Sequence, residues 1–147
     1  RYLCVEEAIH DVCGKRRSAT NSQSRMGRSG FTVTGIPTAT FPSQVDDLGD
    51  VNGDGRGDLI GGVTNAIQRD GSGLGAAYVV LGKGSTRAVS HRNLGRHGYR
   101  VAGDEPGDAM GHTVAGPGDV TGDGVPDLLV STFKKDRMFA YVIWGRR

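Results

Sequence analysis

Two short apolar runs, Leu59-Ile60-Gly61-Gly62-Val63 and Leu128-Leu129-Val130-Ser131, stand at related places in the chain. Each is too short for a helix and carries the β-branched or aliphatic content of a buried strand. The pattern around them repeats. Upstream, Phe31-Thr32-Val33-Thr34-Gly35 aligns with Tyr99-Arg100-Val101-Ala102-Gly103 at an offset of 68. Downstream, Ala77-Tyr78-Val79-Val80-Leu81-Gly82 aligns with Ala140-Tyr141-Val142-Ile143-Trp144-Gly145 at an offset of 63. The shrinking offset places an insertion in the first copy, and the glycine- and charge-rich stretch Gln68 to Gly75 accommodates it. Each copy predicts strand, loop, strand, acidic loop, buried strand, hairpin and strand, which makes one four-stranded antiparallel sheet per repeat. Ahead of the repeats, Val5, Ala8, Ile9 and Val12 share one face at helical spacing, with Glu6 and Glu7 in the first turn, and predict a short helix.

Between the second and third segments of each repeat lies its most specific part. Asp50-Val51-Asn52-Gly53-Asp54-Gly55-Arg56-Gly57-Asp58 returns as Asp119-Val120-Thr121-Gly122-Asp123-Gly124-Val125-Pro126-Asp127. Hard divalent cations take six to eight oxygens, and oxygen side chains at alternate positions of a tight loop converge on one point. Asp50, Asn52, Asp54 and Asp58 supply side-chain oxygens at positions 1, 3, 5 and 9, and the Arg56 carbonyl fills position 7. Asp119, Thr121, Asp123, Asp127 and the Val125 carbonyl match them in the second loop, Thr121 being the weakest donor. These ten residues predict two Ca²⁺ sites. Solvated turns rich in Asp, Asn and Gly are the bland reading. Repetition in register argues against it. An EF-hand needs a bidentate Glu at position 12 and a following helix, whereas Gly61 and Val130 stand there and strands follow. Asp58 and Asp127 are then expected to pin each loop to the strand beginning beside them.

This arrangement resembles the FG-GAP repeats of integrin alpha-subunit-like β-propeller proteins, across about residues 30 to 84 and 98 to 147. Gly107-Asp108-Ala109-Met110-Gly111 through Gly118-Asp119 is similar to the family's lead into its calcium loop, with Met110-Gly111 where Phe-Gly is usual. Gly61-Gly62-Val63 and Val130-Ser131-Thr132 depart from the family's Gly-Ala-Pro. The resemblance implies an all-β fold of two four-stranded antiparallel propeller blades. Propellers close with about four to eight blades. Two blades are therefore incomplete unless the chain is a fragment or copies assemble as a homo-oligomer, and a first residue of Arg rather than Met favours a fragment or processed product. The expected organisation is an N-terminal segment 1–29 (short helix or disordered linker), repeat 1 over 30–84, a basic linker 85–97 and repeat 2 over 98–147.

Composition fits a loop-rich all-β domain: 25 of 147 residues are glycine, more than twice the usual share of about 7%. No apolar run approaches the ~20 residues of a membrane-spanning helix, and no signal peptide is seen. The net charge of +2 would become about +6 with two Ca²⁺ bound. Lys15-Arg16-Arg17, Lys83, Arg87, Arg92, Arg96 and Arg146-Arg147 lack accompanying aromatic or nucleic-acid modules, which disfavours nucleic acid as a partner. If residues 4 to 13 were one helix, Cys4 and Cys13 would lie about 13 Å apart, beyond the about 7 Å reach of a disulfide, so helix and intrachain bridge exclude each other.

No catalytic set is evident: His10, His91, His97 and His112 lack HExxH spacing and no serine sits in GxSxG. Arg56-Gly57-Asp58 spells a tripeptide that integrins bind, yet its acid is position 9 of the loop. The expectation is a non-catalytic, secreted or extracellular calcium-binding propeller module that mediates protein or glycan binding and adhesion, with structural Ca²⁺ and no membrane insertion. The alternatives are an accessory propeller fragment of a secreted phospholipid- or glycan-cleaving enzyme, and a lectin.

Overall fold

The structure is a computed structural model, and it describes residues 4–6, 8–12, 30–35, 44–64, 66, 73–134 and 136–146. Eleven strands organise them: β1 Cys4–Glu6, β2 Ala8–Val12, β3 Gly30–Thr34, β4 Gln44–Gly49, β5 Asp58–Val63, β6 Ala76–Val80, β7 Val89–Ser90, β8 Gly98–Ala102, β9 Val114–Gly118, β10 Asp127–Lys134 and β11 Arg137–Ile143. The one helical element among these residues is a 3₁₀ turn, Gly95–His97. The chain is all-β and its sheets are mainly antiparallel.

The first compact unit comprises residues 1–39 and 84–94. Its sheet runs β1-β2-β3-β7, with β2 antiparallel to β3 (Ile9 opposite Val33, Val12 opposite Gly30) and β3 parallel to β7 (Val33 opposite Val89). Among the residues whose burial is described, Phe31, Val33, Val89 and Leu94 are its buried apolar side chains. The short helix predicted near the N-terminus is replaced by strands β1 and β2. A segment with Val5, Ile9 and Val12 carries β-branched residues suited to a pleated surface, and its backbone groups find partners in β3 rather than within a local helix. The stretch 85–97, expected as a linker, contributes β7 and the 3₁₀ turn. Cys13, and with it the pairing of the two thiols, lies outside the described residues, as does the proposed linker 14–29.

The second unit comprises residues 40–83 and 95–147. Two sheets form it, one ordered β4-β5-β6-β8 and the other β9-β10-β11, antiparallel throughout. The sheets do not follow the sequence repeat as expected. The strand Gly30–Thr34 pairs with β2 and β7, and the fourth strand beside β6 is Gly98–Ala102, taken from the start of the second copy. The second copy's own sheet has three strands. Self-similarity identifies which segments are alike, whereas alternation of period two leaves open which sheet edge each segment joins.

Leu48, Val51, Ile60, Ala77, Val79, Val114, Leu128 and Val130 form the core of this unit, with Leu81, Val101, Met110 and Ile143 packed against it. Strand β9 lies against β4 and β5. A side chain on Gly116 would place its Cβ 2.1 Å from the Asp47 carbonyl oxygen, so only glycine lets β9 approach β4 this closely. The crossing is fastened by Gln44, whose Oε1 accepts the Val114 N–H at 3.2 Å, and by Asp46, whose Oδ2 accepts the Gly116 N–H at 3.1 Å. Both acidic loops are thereby held in one unit, each entering the middle strand of its sheet.

Candidate metal centre

The first acidic loop joins β4 to β5 and the second joins β9 to β10. Gly53 and Gly55 have φ of 74° and 83°, and Gly122 and Gly124 have 79° and 83°, so both loops curl with the same left-handed steps. The curl aims successive N–H groups at the first aspartate. Asp50 Oδ1 accepts the Asp54 N–H at 3.0 Å and Oδ2 the Gly55 N–H at 2.7 Å. Asp119 does the same, with Oδ1 accepting from Asp123 at 3.1 Å and Oδ2 from Gly124 at 2.7 Å. Its Oδ1 also takes the Gly122 N–H at 2.6 Å and the Thr121 hydroxyl at 3.4 Å.

Position 5 repeats as faithfully. Asp54 Oδ1 accepts the Arg56 N–H at 2.9 Å, and Asp123 Oδ1 accepts the Val125 N–H at 2.8 Å. Asn52 Oδ1 accepts the Asp54 N–H at 3.0 Å. The Arg56 guanidinium stands 3.4 Å from Asp54 Oδ2, a partly exposed pair that contributes little to stability.

Position 9 is a buckle. Asp58 is fully buried, its Oδ2 accepting the Val51 N–H at 3.0 Å and its Oδ1 the Gly82 N–H at 2.7 Å. Asp127 is equally buried, with Oδ2 accepting from Val120 at 2.9 Å and Thr121 at 3.0 Å, and Oδ1 from Gly145 at 3.1 Å. One carboxylate thus ties the start of its loop to a glycine two residues past the end of the sheet's hairpin partner strand. Gly82 and Gly145 are functional positions that the motif alone does not reveal. Their signal was the recurring glycine after Val80-Leu81 and Ile143-Trp144. A Cβ at Gly145 would meet the Pro126 carbonyl oxygen at 2.1 Å, and one at Gly82 the Gly57 carbonyl oxygen at 2.4 Å. Burial of Asp58 also removes the acid of Arg56-Gly57-Asp58 from solvent, so the tripeptide does not present a carboxylate to a receptor.

The electrostatics follow from these contacts. The N–H of Gly55, aided by those of Asp54, Gly53 and Asn52, holds the Asp50 carboxyl below the usual range in spite of desolvation. The Gly124 N–H does the same for Asp119, with Gly122 and Asp123 assisting. Burial pushes Asp127 up and is outweighed by the N–H groups of Gly145, Val120 and Thr121, so its pKa is lowered. Asp58 goes the other way: burial raises it, and the charges of Asp54 and Asp50 raise it further against the Gly82 and Val51 hydrogen bonds. Three acids of one loop therefore sense one another.

Within each loop the carboxylates at positions 1 and 5 accept the loop's own N–H groups, while the carboxylate at position 9 divides between the loop and a glycine beyond the hairpin. Among the described residues, no three His, Cys, Asp or Glu side chains converge as a formed metal cluster. Also among them, no helix is long and apolar enough to cross a membrane. No protein-family model matches the chain, and the search of curated proteins finds no match either.

Proposed function

We propose that the two loops bind Ca²⁺ and that the chain is a non-catalytic extracellular module of FG-GAP type, its sheets serving as propeller blades that present a surface to a protein or glycan. The observation that carries this reading is the shared hydrogen-bond pattern at positions 1, 5 and 9 of both loops, placed identically on two sheets. Ordinary turns need one Asx side chain to close. A loop that spends three carboxylates on one short stretch, twice, concentrates negative charge beyond that need.

The donor set fits a hard cation. Asp119 Oδ1 and Asp127 Oδ2 each take two or more donors, but every aspartate of the two loops has an oxygen that accepts a single N–H and so keeps a further lone pair for an ion. Asp50, Asn52, Asp54, Asp58 and the Arg56 carbonyl would hold one ion; Asp119, Thr121, Asp123, Asp127 and the Val125 carbonyl would hold the other. When bound, Ca²⁺ neutralises the clustered acids and cross-links the loop. The chain's own residues do the rest: the buckles at Asp58 and Asp127 transmit loop order to the strands β5 and β10 and to the ends of β6 and β11. Extracellular modules bind calcium with Kd of about 10⁻⁴ to 10⁻³ M, concentrations met outside cells rather than in cytosol. Adhesion and secretion are the setting that such affinities suit.

The test is a thermal melt of chelator-stripped protein titrated with Ca²⁺ and, separately, Mg²⁺. Stabilisation follows mass action, so calcium at about 100 times Kd adds about 2.7 kcal/mol for each site. Melting curves that coincide in calcium and in EDTA would remove the ions from the reading.

A further inference from the structure

The first acidic loop carries a reactive pair of residues that the second lacks. Among the chain's four asparagines, Asn52 alone precedes a glycine, whereas Asn21, Asn65 and Asn93 precede Ser, Ala and Leu. Gly53 has no side chain to shield its backbone nitrogen from the amide carbon of Asn52. The loop adds a second element. Asn52 Oδ1 accepts the Asp54 N–H at 3.0 Å. Negative charge gathers on that oxygen when a nucleophile adds to the amide carbon, and a backbone N–H aimed at it stabilises such an oxyanion. Gly53 and Asp54 are exposed and Asn52 is partly so, which gives water access to the pair. The Gly53 N–H also donates toward Asp50, and in an exposed turn local opening breaks such a contact at low cost.

We propose that Asn52 is a self-modifying residue of the folded protein, converted to aspartate and isoaspartate by attack of the Gly53 nitrogen. That nitrogen bonds to Asn52 Cγ, the Cγ–Nδ2 bond breaks, and the amide leaves as ammonia with the proton that Gly53 gives up. A five-membered succinimide remains. One water then opens the ring: addition at Cγ leaves a carboxylate at position 52, and addition at the backbone carbonyl gives isoaspartate, with the chain running through the former side chain. Nothing is oxidised or reduced, and water is the sole co-reactant. The first product adds a negative charge at position 3 of the loop. The second lengthens the backbone by one methylene ahead of Gly53, which displaces the Asp54 N–H from the Asp50 carboxylate. Thr121 fills the same position of the second loop and has no amide to lose, so the two loops diverge with age. The inference rests on the amide and its neighbours and not on the ions, so failure of calcium binding would leave it standing.

The experiment incubates the intact, metal-stripped chain in mildly alkaline buffer for weeks, then maps peptides by mass spectrometry and detects isoaspartate by enzymatic methylation. One preorganised oxyanion donor is worth about 10²–10³ in rate inside an enzyme. In an exposed loop a smaller share survives, so Asn52 should convert about tenfold or more faster than Asn65 or Asn93. The rate should rise with pH, because the attacking nitrogen must lose its proton. Asn52→Gln keeps an amide but needs a six-membered ring, and it should stay unmodified over the same period. In aged parent protein, exchange of the Asp54 N–H should quicken while that of Gly124 holds, since only the first loop changes. A synthetic peptide of residues 48–58 supplies the unstructured reference. Conversion of the peptide with none in the intact chain overturns the proposal, because the folded loop would then hold the pair apart. So does conversion of Asn52 no faster than that of Asn65 and Asn93.

Discussion

Replacing Asp58 with alanine isolates the buckle from the ion. Asp58 is fully buried and satisfies two backbone donors, the N–H of Val51 at 3.0 Å and of Gly82 at 2.7 Å. Alanine leaves both without their acceptor. An unsatisfied buried group costs about 1–3 kcal/mol, so two cost about 2–6. The Gly82 end is only part-buried and water can reach it, which favours the lower half of that range. Removal of the charge also relieves repulsion from Asp54 and Asp50, a small opposing gain. A loss of about 3 kcal/mol is expected, a large fraction of the about 5–15 kcal/mol that holds a domain together. Asp58→Asn keeps one acceptor oxygen and turns an amide N–H₂ toward the other donor, so it should lose roughly half as much. The assay is urea denaturation in EDTA at neutral pH, where no metal contributes. At an m-value of about 2 kcal/mol/M, the alanine variant should unfold about 1.5 M earlier than the parent. Asp54→Ala, whose carboxylate is solvent-exposed, should shift the midpoint by less than about 0.5 M under the same conditions. If Asp58→Ala and Asp54→Ala behave alike, position 9 is not a structural buckle.

Further outcomes follow from the same contacts. Asp127→Ala should reproduce the Asp58→Ala loss in the second sheet, since Asp127 accepts from Val120, Thr121 and Gly145; urea midpoints of both variants check the equivalence. In metal-free protein, carboxyl carbon NMR should place the Asp58 midpoint above the ordinary 3.8 and that of Asp127 below it. By linkage, the raised Asp58 favours folding below pH 3.8 and loses that contribution as pH rises through its folded value, whereas the lowered Asp50, Asp119 and Asp127 stabilise above 3.8 and are lost as pH falls through theirs. Gly116→Ala meets the Asp47 carbonyl and should cost about 1–3 kcal/mol or more, while Gly122→Ala, with open space but φ of 79°, should cost about 1–2; paired denaturation curves distinguish overpacking from strain. Arg56→Ala removes a cation 3.4 Å from Asp54 and should leave calcium affinity unchanged or slightly tighter by titration calorimetry, because only the Arg56 carbonyl is a proposed ligand.

The loops were the most legible part of this chain because their information is local. Alternate oxygens and left-handed glycines specify a turn within nine residues, and the hydrogen bonds of Asp50 and Asp119 close inside that span. The runs at Leu59 and Leu128 likewise became middle strands, since apolar residues on both faces require cover on both. Partner choice was not legible. Phe31–Thr34 and Tyr99–Ala102 are alike in pattern, yet one lies between β2 and β7 and the other edges β6. The apolar residues Val5, Ala8, Ile9 and Val12 fit a helical face, but they also fit strands once β3 offers a ladder, and tertiary pairing prevailed. Gly82 and Gly145 were invisible as partners of the buckle for a related reason. Their contacts with Asp58 and Asp127 span 24 and 18 residues, and no local rule connects a strand's end to a loop that far back.

Calorimetric titration of Ca²⁺ into chelator-stripped protein, run on the parent and on Asp54→Ala and Asp123→Ala, bears most directly on the proposed metal centres. Two equivalents should bind the parent and one should bind each variant, with Asp54→Ala emptying the loop before β5 and Asp123→Ala the loop before β10. A parent that takes up no calcium, or variants that retain both equivalents, would contradict the account.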